Sequence, residues 1–342
     1  MGESPKPKSR LSHVARLAGV SRATASRALR GEGRVAPETV ERVRRAAESI
    51  GYWPDPYAKN LRTGEGHKLL AVIVDPVTQL GHSGGSDVSH QFWFRAFFQL
   101  WTEMSARDVT VVMATIDNQK LLATLPISTV LITSTVHPRP LVNREMGDVP
   151  VFVLGVPKDD DDSRIKGYIR FDDRNHTVKV LDHLWERGAD NIAVAYRPYQ
   201  GDHAVDTISE YRRWCDEKGQ APVIIEDLEG PEELTAKVTE ALDSGCDAFF
   251  SYLPESRTVF DAIVQSGKSM PDDIMLVAHA EGVLEASRTP SVTTLSMRGQ
   301  EVVLDMIDPL MRAMNNEIDD QEFVTVYAKL VQRESTDRPV IR

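Results

Sequence analysis

Residues 19–31, which read GVSRATASRALRG, limit the possible folds of this chain more than any other stretch. They follow a segment whose apolar residues recur on one face of a helix. Gly19 suits the position after a helix, where φ is positive, and Ser21 can cap the N-terminus of a second helix. The pattern therefore predicts a helix over 11–18, a tight turn and a helix over 22–30, which together form a helix-turn-helix.

The second predicted helix has one apolar and one polar face. Its inward residues are small and apolar: Ala25, Ala28 and Leu29. Its outward residues are Arg22, Ala23, Ser26 and Arg27. In the major groove, arginine can bind guanine O6 and N7 together, alanine can pack on a thymine methyl, and hydroxyl or free amide groups can bind phosphate. We therefore predict a DNA-reading helix. On these residues alone, an ordinary solvated helix of a helical bundle stays open as the alternative.

The charge of the chain is divided unevenly along its length. Residues 1–68 contain 14 lysines and arginines and seven acidic residues, whereas residues 69–342 contain 26 and 44. A basic head on an acidic body suits a protein that binds a polyanion, because the head is attracted and the body is repelled. We expect double-stranded DNA as the partner of the head.

Composition argues against several other classes of protein. The sequence has no run of 18 apolar residues and no apolar region after its basic N-terminus, so neither a transmembrane helix nor a signal peptide is predicted. Cys215 and Cys246 form no disulfide framework and fit a reducing cytoplasm. No metal-ligand spacing or nucleophile motif is present, and the glycine-rich loop at 81–85 lacks a phosphate-binding pattern. We therefore expect no metal, no cofactor and no enzymatic activity.

Two further segments complete the predicted head. Residues 37–50 predict a third helix, with Pro37 at its first position and Ala36, a poor capping residue, before it. Residues 56–62 can form two helical turns, which are too short to be stable alone in water. In the free protein this last segment is predicted to be a linker.

From residue 69 onwards, short apolar strands alternate with helices, which is typical of doubly wound parallel sheets. A first series has strands at 69–75, 109–117, 128–135 and 149–156, with helices at 90–107 and, briefly, 119–125. A second series has strands at 167–173, 191–196, 222–228, 246–252 and 274–280, with helices at 174–187, 204–218, 231–244 and 255–266. The tail adds a helix at 299–315 and a strand at 323–331. Two α/β lobes in succession predict a cleft that binds a small molecule.

The order of these parts resembles the lactose-repressor (LacI-type) family of bacterial transcription regulators. The likeness is strongest in three stretches of the head, VARLAGVSRATASRALRG, GRVAPETVERV and IGYWPDPYAKNLRTG, and looser in the body. It implies a small all-α helix-turn-helix head at 1–53, a hinge at 54–66 and a two-lobed, periplasmic-binding-protein-like α/β body at 67–342. The expected lobes are lobe 1 at about 67–166 plus 293–322 and lobe 2 at about 167–290 plus 323–342.

The resemblance also implies how the chain binds DNA. Family members bind near-palindromic operators as homodimers, and a repressor is the expected role. A hinge leucine that matches Leu61 wedges into the minor groove, while base-reading positions fall on Arg22, Ala23 and Arg27. The implied DNA-binding residues are Ser21, Arg22, Ala23, Thr24, Ser26, Arg27, Tyr57, Lys59, Asn60 and Leu61. Since no leucine heptads follow the last predicted strand, we do not expect a tetramer.

The implied effector site lies between the lobes and departs from the family pattern. Its residues are Phe92, Trp93, Asp172, Thr207, Tyr252 and His279. Thr207 stands where many members have an arginine, and Tyr252 and His279 also replace the usual residues. Because buried sugar hydroxyls need polar partners, we do not expect an ordinary sugar held in the usual way.

Several alternatives stay open for the body. The cleft can be vestigial, which would leave a constitutive or protein-regulated repressor, and a two-lobe solute-binding protein or enzyme is a more distant reading. Within the aromatic segment 92–101, Phe92 and Trp93 line either a ligand site or the core, and the other aromatic residues are predicted to be core. His279 is alternatively a structural histidine whose hydrogen bonds are satisfied.

Overall fold

A computed structural model of the chain describes residues 11–30, 35–52, 68–74, 87–115, 117–133, 147–155, 163–198, 202–228, 230–253 and 256–342. The chain divides into two compact units, Met1–His67 and Lys68–Arg342, and each is described by itself. None of the described helices combines the length and the apolar character that a membrane crossing requires.

The first unit is helical, as the sequence predicts. Its described helices are α1 (Leu11–Leu17), α2 (Arg22–Arg30) and α3 (Pro37–Ser49). Val14, Ala25 and Val43, one from each helix, are fully buried at its centre. Such small side chains let the helices approach closely, but they remove little apolar surface from water, so this core contributes modest stability.

The described part of the second unit is built on two six-stranded sheets. The first contains β1 (Lys68–Val74), β2 (Val109–Thr115), β3 (Thr129–Ile132), β4 (Val151–Leu154), β5 (Ile165–Phe171) and β11 (Glu322–Val326). The second contains β6 (Ile192–Tyr196), β7 (Val223–Glu226), β8 (Ala248–Tyr252), β9 (Met275–His279), β10 (Thr293–Ser296) and β12 (Lys329–Val331). Their orders are β11-β5-β4-β3-β1-β2 and β12-β10-β9-β8-β6-β7. The described pairs are parallel except for β10 with β12.

Helices cover both sheets. They are α4 (Asp87–Ser105), α5 (Asp173–Glu186), α6 (Asp202–Lys218), α7 (Pro231–Asp243), α8 (Ser256–Gln265), α9 (Val283–Ala286) and α10 (Gly299–Met314), with a 3-10 helix at Gln119–Thr124. α4 and α10 share one apolar core with the first sheet, and the 3-10 helix packs on the other face. α5 and α6 pack on one face of the second sheet, and α7 and α8 on the other. We call the first sheet with its helices lobe 1 and the second lobe 2.

The strand pairing corrects the predicted lobe boundaries. β5 is predicted to begin lobe 2, but it pairs with β4 and β11 in lobe 1. β10 is predicted to lie in lobe 1, but it pairs with β9 in lobe 2. The predicted strand at 323–331 is two strands, which belong to different sheets. Apolar patterning identifies a buried strand without identifying its partner, which explains these errors.

Within the described residues, the chain passes between the lobes at 171–173, 296–299 and 326–328, which we call the first, second and third crossovers. The first and third are bonded to each other. The amide of Asp172 donates to the carbonyl of Val326 at 3.2 Å, and the amide of Ala328 donates to Nε2 of His176 at 2.7 Å. Any rotation of one lobe against the other must therefore change the backbone conformation of these bonded segments.

Candidate DNA-reading surface and interlobe cleft

Local hydrogen bonds fix the turn between α1 and α2. Gly19 has a φ of +63°, as predicted for the residue after a helix. The Oγ of Ser21 accepts a hydrogen bond from the amide of Thr24 at 3.0 Å and lies 2.8 Å from the Thr24 hydroxyl. The prediction that Ser21 caps α2 is confirmed, and its side-chain oxygen is therefore already bonded inside the head.

Arg42 of α3 supports the same turn through a contact that no local sequence pattern indicates. Its Nε donates to the carbonyl oxygen of Ala18 at 2.9 Å. The last carbonyl groups of a helix lack helical partners, so a cation there is favourable. α3 thus holds the turn that sets the direction of α2.

The faces of α2 are those that the sequence predicts. Ala25 and Ala28 are buried, whereas Arg22, Ala23 and Arg27 are exposed. The predicted DNA-binding residues Thr24 and Ser26 are half-buried and Ser21 is exposed. The ion pair that the described head contains joins Arg45 to Glu41 at 3.0 Å and involves neither arginine of α2. A capped helix therefore presents two arginines to solvent.

The predicted hinge residues Tyr57, Lys59, Asn60 and Leu61 lie outside the described residues. Their role in the minor groove stays a prediction.

In the second unit, side chains meet around a buried carboxylate near the first crossover. Asp173, the first residue of α5, lies with Oδ2 2.5 Å from Nδ1 of His203 and accepts a hydrogen bond at Oδ1 from the hydroxyl of Tyr252 at 3.1 Å. The ring of Tyr252 stacks on His279, with centroids 4.6 Å apart. His176 lies one turn after Asp173 on α5. We call these five residues the Asp173 cluster.

The charges of the Asp173 cluster follow from burial and contact. Burial raises the pKa of Asp173, but the charge and hydrogen bond of His203, together with smaller contributions from His176 and Tyr252, lower it overall. Burial lowers the pKa of His279 to about 4. Burial also lowers the pKa of His176, although Asp173 opposes the effect. Both imidazoles are thus neutral at pH 7. Since Nε2 of His176 accepts from Ala328, its proton lies on Nδ1.

The structure places several of the predicted effector residues at or beside the Asp173 cluster. Tyr252 and His279 are in direct contact within the Asp173 cluster. Asp172 lies beside it and accepts a hydrogen bond from the side-chain amide of Asn175 at 2.6 Å. Thr207 is fully buried, which excludes it from the exposed wall of the cleft. Among the described residues, no group of three His, Cys, Asp or Glu side chains is placed to hold a metal ion.

Phe92 and Trp93 belong to lobe 1 and connect it to the Asp173 cluster. Both line an apolar pocket inside lobe 1, whose walls include Phe97, Leu131 and Ile169. Phe92 makes an edge contact with Trp93 at 5.1 Å and with Phe171 at 6.1 Å between ring centroids. The Phe171 ring in turn lies 4.9 Å from the His203 ring. A continuous line of rings therefore passes from lobe 1 through the first crossover into lobe 2.

The prediction that the remaining aromatic residues of α4 are core is confirmed for Phe97, which packs against the lobe 1 core, and wrong for three others. Phe94, Phe98 and Trp101 are predicted to be core, but they are 72%, 54% and 55% exposed. The rings form a row, with Phe94 and Phe98 stacked at 6.2 Å and Phe98 and Trp101 at 5.9 Å. The spacing places them on one side of the helix, and the sequence alone does not say which side faces the sheet. We call this row the α4 aromatic face.

Sequence reasoning also missed Asp173, His176 and His203. The spacing of Asp173 and His176, three residues apart on a predicted helix, could have suggested a shared face. No comparable signal links His203 or Tyr252 to Asp173, because they lie 30 and 79 residues further along the chain.

Comparisons with known proteins agree with this arrangement. Residues 10–55 match the family described as bacterial regulatory proteins, lacI family, and residues 181–336 match the periplasmic binding protein-like domain. The chain is 24% identical to the HTH-type transcriptional regulator CelR of Thermobifida fusca, over 95% of this chain and 97% of CelR. It is 47% identical over 70 residues, 20% of each chain, to the HTH-type transcriptional regulator GntR of Pseudomonas aeruginosa.

Among solved structures, a lac repressor dimer bound to operator and the anti-inducer ONPF is similar with a TM-score of 0.75 and 19% identity. The similarity covers 96% of this chain and 99% of that one, which supports the two-lobed fold. A lacI-type head thus precedes a periplasmic-binding-protein-like body in the order that the sequence predicts. Residues 10–55 are therefore a lacI-type domain of the bacterial regulatory proteins, and residues 181–336 belong to a periplasmic binding protein-like domain.

Proposed function

We propose that this protein is a sequence-specific DNA-binding repressor that binds a near-palindromic operator as a homodimer in the cytoplasm. A small molecule in the interlobe cleft would control it. The observation that carries the proposal is α2, a capped and supported helix that presents Arg22 and Arg27 to solvent. The relatives are named as transcriptional regulators, which fits a chain without enzymatic activity.

In this proposal α2 lies in the major groove. Arg22 and Arg27 each bind a guanine through two parallel hydrogen bonds, and each such contact is worth about 1–3 kcal/mol of discrimination. Ala23 packs on a thymine methyl. Because the hydroxyl of Ser21 already caps the helix, Ser21 would bind phosphate through free amide groups at the start of α2, with Thr24 and Ser26 beside it.

The hinge is the second element of DNA recognition in the proposal. Leu61 would wedge into a base step in the minor groove, with Tyr57, Lys59 and Asn60, which precede it in the chain, as further DNA contacts. Unstacking a step costs a few kcal/mol, which the extra contact with bent DNA offsets. A segment that orders only on DNA can transmit a signal from the body, because its ordering is coupled to binding.

The α4 aromatic face supports the homodimer. Three adjacent exposed rings form an apolar patch of a kind that commonly marks an interaction site. Aromatic residues are enriched in protein interfaces, and stacked rings lose little side-chain entropy when a partner covers them. A second copy that presents the same patch would bury all three rings in a symmetric interface.

The effector is proposed to bind beside the Asp173 cluster. Phe92 and Trp93 would supply apolar contact, and Asp172 and His279 would supply polar contact. Tyr252 is buried, so its hydroxyl would contact a ligand only by exchanging its bond to Asp173. Thr207 is fully buried, so it would shape the wall from behind rather than touch the ligand. No cofactor is proposed. An effector with an apolar or aromatic part fits these walls better than a bare sugar does, because buried hydroxyls need paired polar groups.

A second candidate function has specific support. Asp173 is already bonded to His203 and Tyr252, and Tyr252 is stacked on His279, so these groups satisfy one another without a ligand. That arrangement is expected of a vestigial cleft in a constitutive or protein-regulated repressor. A thermal-shift screen separates the two candidates, because a metabolite that binds the folded protein raises its melting temperature.

Selection of binding sites from random double-stranded DNA tests the main proposal. Purified full-length protein is expected to enrich a site made of two related half-sites, and its affinity should fall steeply with salt because phosphate contacts release counterions. Absence of any enriched sequence would contradict DNA reading by α2 and favour a solute-binding protein or enzyme.

A further inference from the structure

The second crossover is wrapped around a carboxylate from lobe 2. Glu281 follows β9, and its Oε1 accepts hydrogen bonds from the amide of Met297 at 3.0 Å and from the hydroxyl of Ser296 at 3.3 Å. Its Oε2 accepts from the amide of Gly299 at 3.3 Å. Both oxygens of one side chain thus bind the segment where the chain returns from lobe 2 to lobe 1. Hydrogen bonds to an ionised carboxylate are stronger than neutral ones.

The conformation that Glu281 holds is one that the chain does not favour by itself. Arg298, between the two bonded amides, has a φ of +57°, in the left-handed region that is unfavourable for residues other than glycine. This conformation turns the amides of Met297 and Gly299 towards one point, which suits an anion. The amide of Arg298 is bonded as well, to Oγ of Ser296 at 3.2 Å.

Gly299 links this carboxylate to lobe 1 and to the cleft. It is the first residue of α10, so Glu281 of lobe 2 binds the N-terminus of a lobe 1 helix, where negative charge is favourable. A Cβ added at Gly299 would lie 2.9 Å from the carbonyl oxygen of Phe92. The backbone of the crossover therefore packs directly against Phe92, which lines the lobe 1 pocket.

We propose that Glu281 is a positioning residue of the regulatory switch: its carboxylate fixes the second crossover and thereby sets how the two lobes are joined. A ligand that displaces Phe92 would act on Gly299 and on the bond that Glu281 makes to it. The expected effect on DNA binding rests on the proposed function. The role of Glu281 in fixing the second crossover does not depend on it.

The test compares Glu281→Gln with Glu334→Gln in the full-length protein. Glu334 is a matched control, because its carboxylate accepts hydrogen bonds from the amide and hydroxyl of Ser291 at 2.7 and 2.9 Å, within lobe 2 and away from the crossovers. Glutamine keeps one acceptor oxygen, and both bonds of Glu334 end on Oε2, so Glu334→Gln removes the charge but can keep both bonds. Glu281 binds through both oxygens, so Glu281→Gln also loses at least one bond, and its melting temperature is expected to fall further. Hydrogen–deuterium exchange of the peptide that spans 297–302 should rise about tenfold in Glu281→Gln and stay unchanged in Glu334→Gln.

A second measurement reports on the lobes themselves. Spin labels at the exposed positions Lys120 and Asp243, one on each lobe, should give a broader distance distribution in Glu281→Gln than in Glu334→Gln. Equal exchange and equal distance distributions in the two variants would overturn the proposal. If Glu281→Gln does not fold, Glu281→Asp, which keeps the charge on a shorter side chain, carries the same comparison with a smaller expected change.

Operator affinity separates this proposal from the proposed function. With the DNA site obtained by selection, Glu281→Gln is expected to change affinity several-fold and Glu334→Gln is not. A variant with a loosened crossover and unchanged operator affinity would leave the role of Glu281 intact. It would contradict the coupling between lobes and DNA-binding head.

Discussion

On α2 of the head, the arginine side chains that are proposed to read DNA are exposed to solvent. The polar side chains beside the cleft, in contrast, are buried and bonded to one another. Arg22 and Arg27 lie in solvent, while Asp173 is 4% exposed and contacts both His203 and Tyr252. Exposed arginines can meet a partner without first losing a protein contact. Groups in a satisfied network must exchange partners, so a cleft ligand has to compensate for the bonds that it breaks.

Removal of the central carboxylate should produce the largest effect. Asp173→Ala removes the acceptor of both His203 and Tyr252 in a buried site, and breaking a buried ionic pair costs about 3–5 kcal/mol. The matched control is Asp206→Ala, which breaks a mostly exposed pair with Arg174 at 3.2 Å and should cost less than about 1 kcal/mol. Urea unfolding of the two variants measures both values. Equal losses of unfolding free energy in the two variants would mean that the Asp173 cluster is as exposed to water as the surface pair.

Buried imidazoles should make the stability of the body depend on pH. Burial, aided by the charge of Arg187, lowers the pKa of His183 to about 4, and His183 contacts the Thr336 hydroxyl at 2.8 Å. The unfolded chain binds this proton near pH 6.5, so the stability contribution is complete above 6.5 and is lost as pH falls towards 4. At about 1.4 kcal/mol per pH unit, the loss approaches about 3 kcal/mol.

The variant His183→Gln isolates this term, because glutamine can keep a hydrogen bond to Thr336 but does not titrate. Chemical unfolding at several values between pH 7.5 and pH 4 should show a shallower decline for the variant than for the parent protein. Parallel curves would show that His183 keeps its ordinary pKa in the folded state.

Arg27→Ala tests the exposed side of the comparison. Loss of a two-bond contact to guanine should reduce discrimination at one base of each half-site by about 1–3 kcal/mol, with a smaller effect on binding to unrelated DNA. Arg45→Ala is the control, because Arg45 is also exposed but lies on α3 and pairs with Glu41. Competition gel shifts with single-base variants of the selected site measure both. If the two variants lose the same preference, α2 does not read bases through Arg27.

The same contrast explains what the sequence could predict. The turn at Gly19 and the cap at Ser21 depend on neighbouring residues, and both are where the sequence places them. Strands such as β5 and β10 are recognised as apolar runs, but their partners depend on the whole sheet, and both were assigned to the wrong lobe. The Asp173 cluster joins residues up to 79 positions apart, so no local pattern indicates it. Features that depend on neighbouring residues can thus be predicted from the sequence, whereas contacts between residues far apart in the chain cannot.

The smallest expected effect concerns the caps of the head. Ser21→Ala removes the oxygen that accepts from the amide of Thr24 and should destabilise the head by about 1 kcal/mol. Ala36, before α3, makes no side-chain cap although its φ of −58° and ψ of 138° suit one, so Ala36→Ser should stabilise the head by a similar amount. Calorimetry of the full-length variants should move the transition of the head in opposite directions and leave that of the body unchanged, because the two are separate compact units. A shift of the body transition in either variant would instead show that the head and the body unfold together. The exposed DNA-reading helix and the mutually bonded Asp173 cluster could then no longer be treated as independent parts of the molecule.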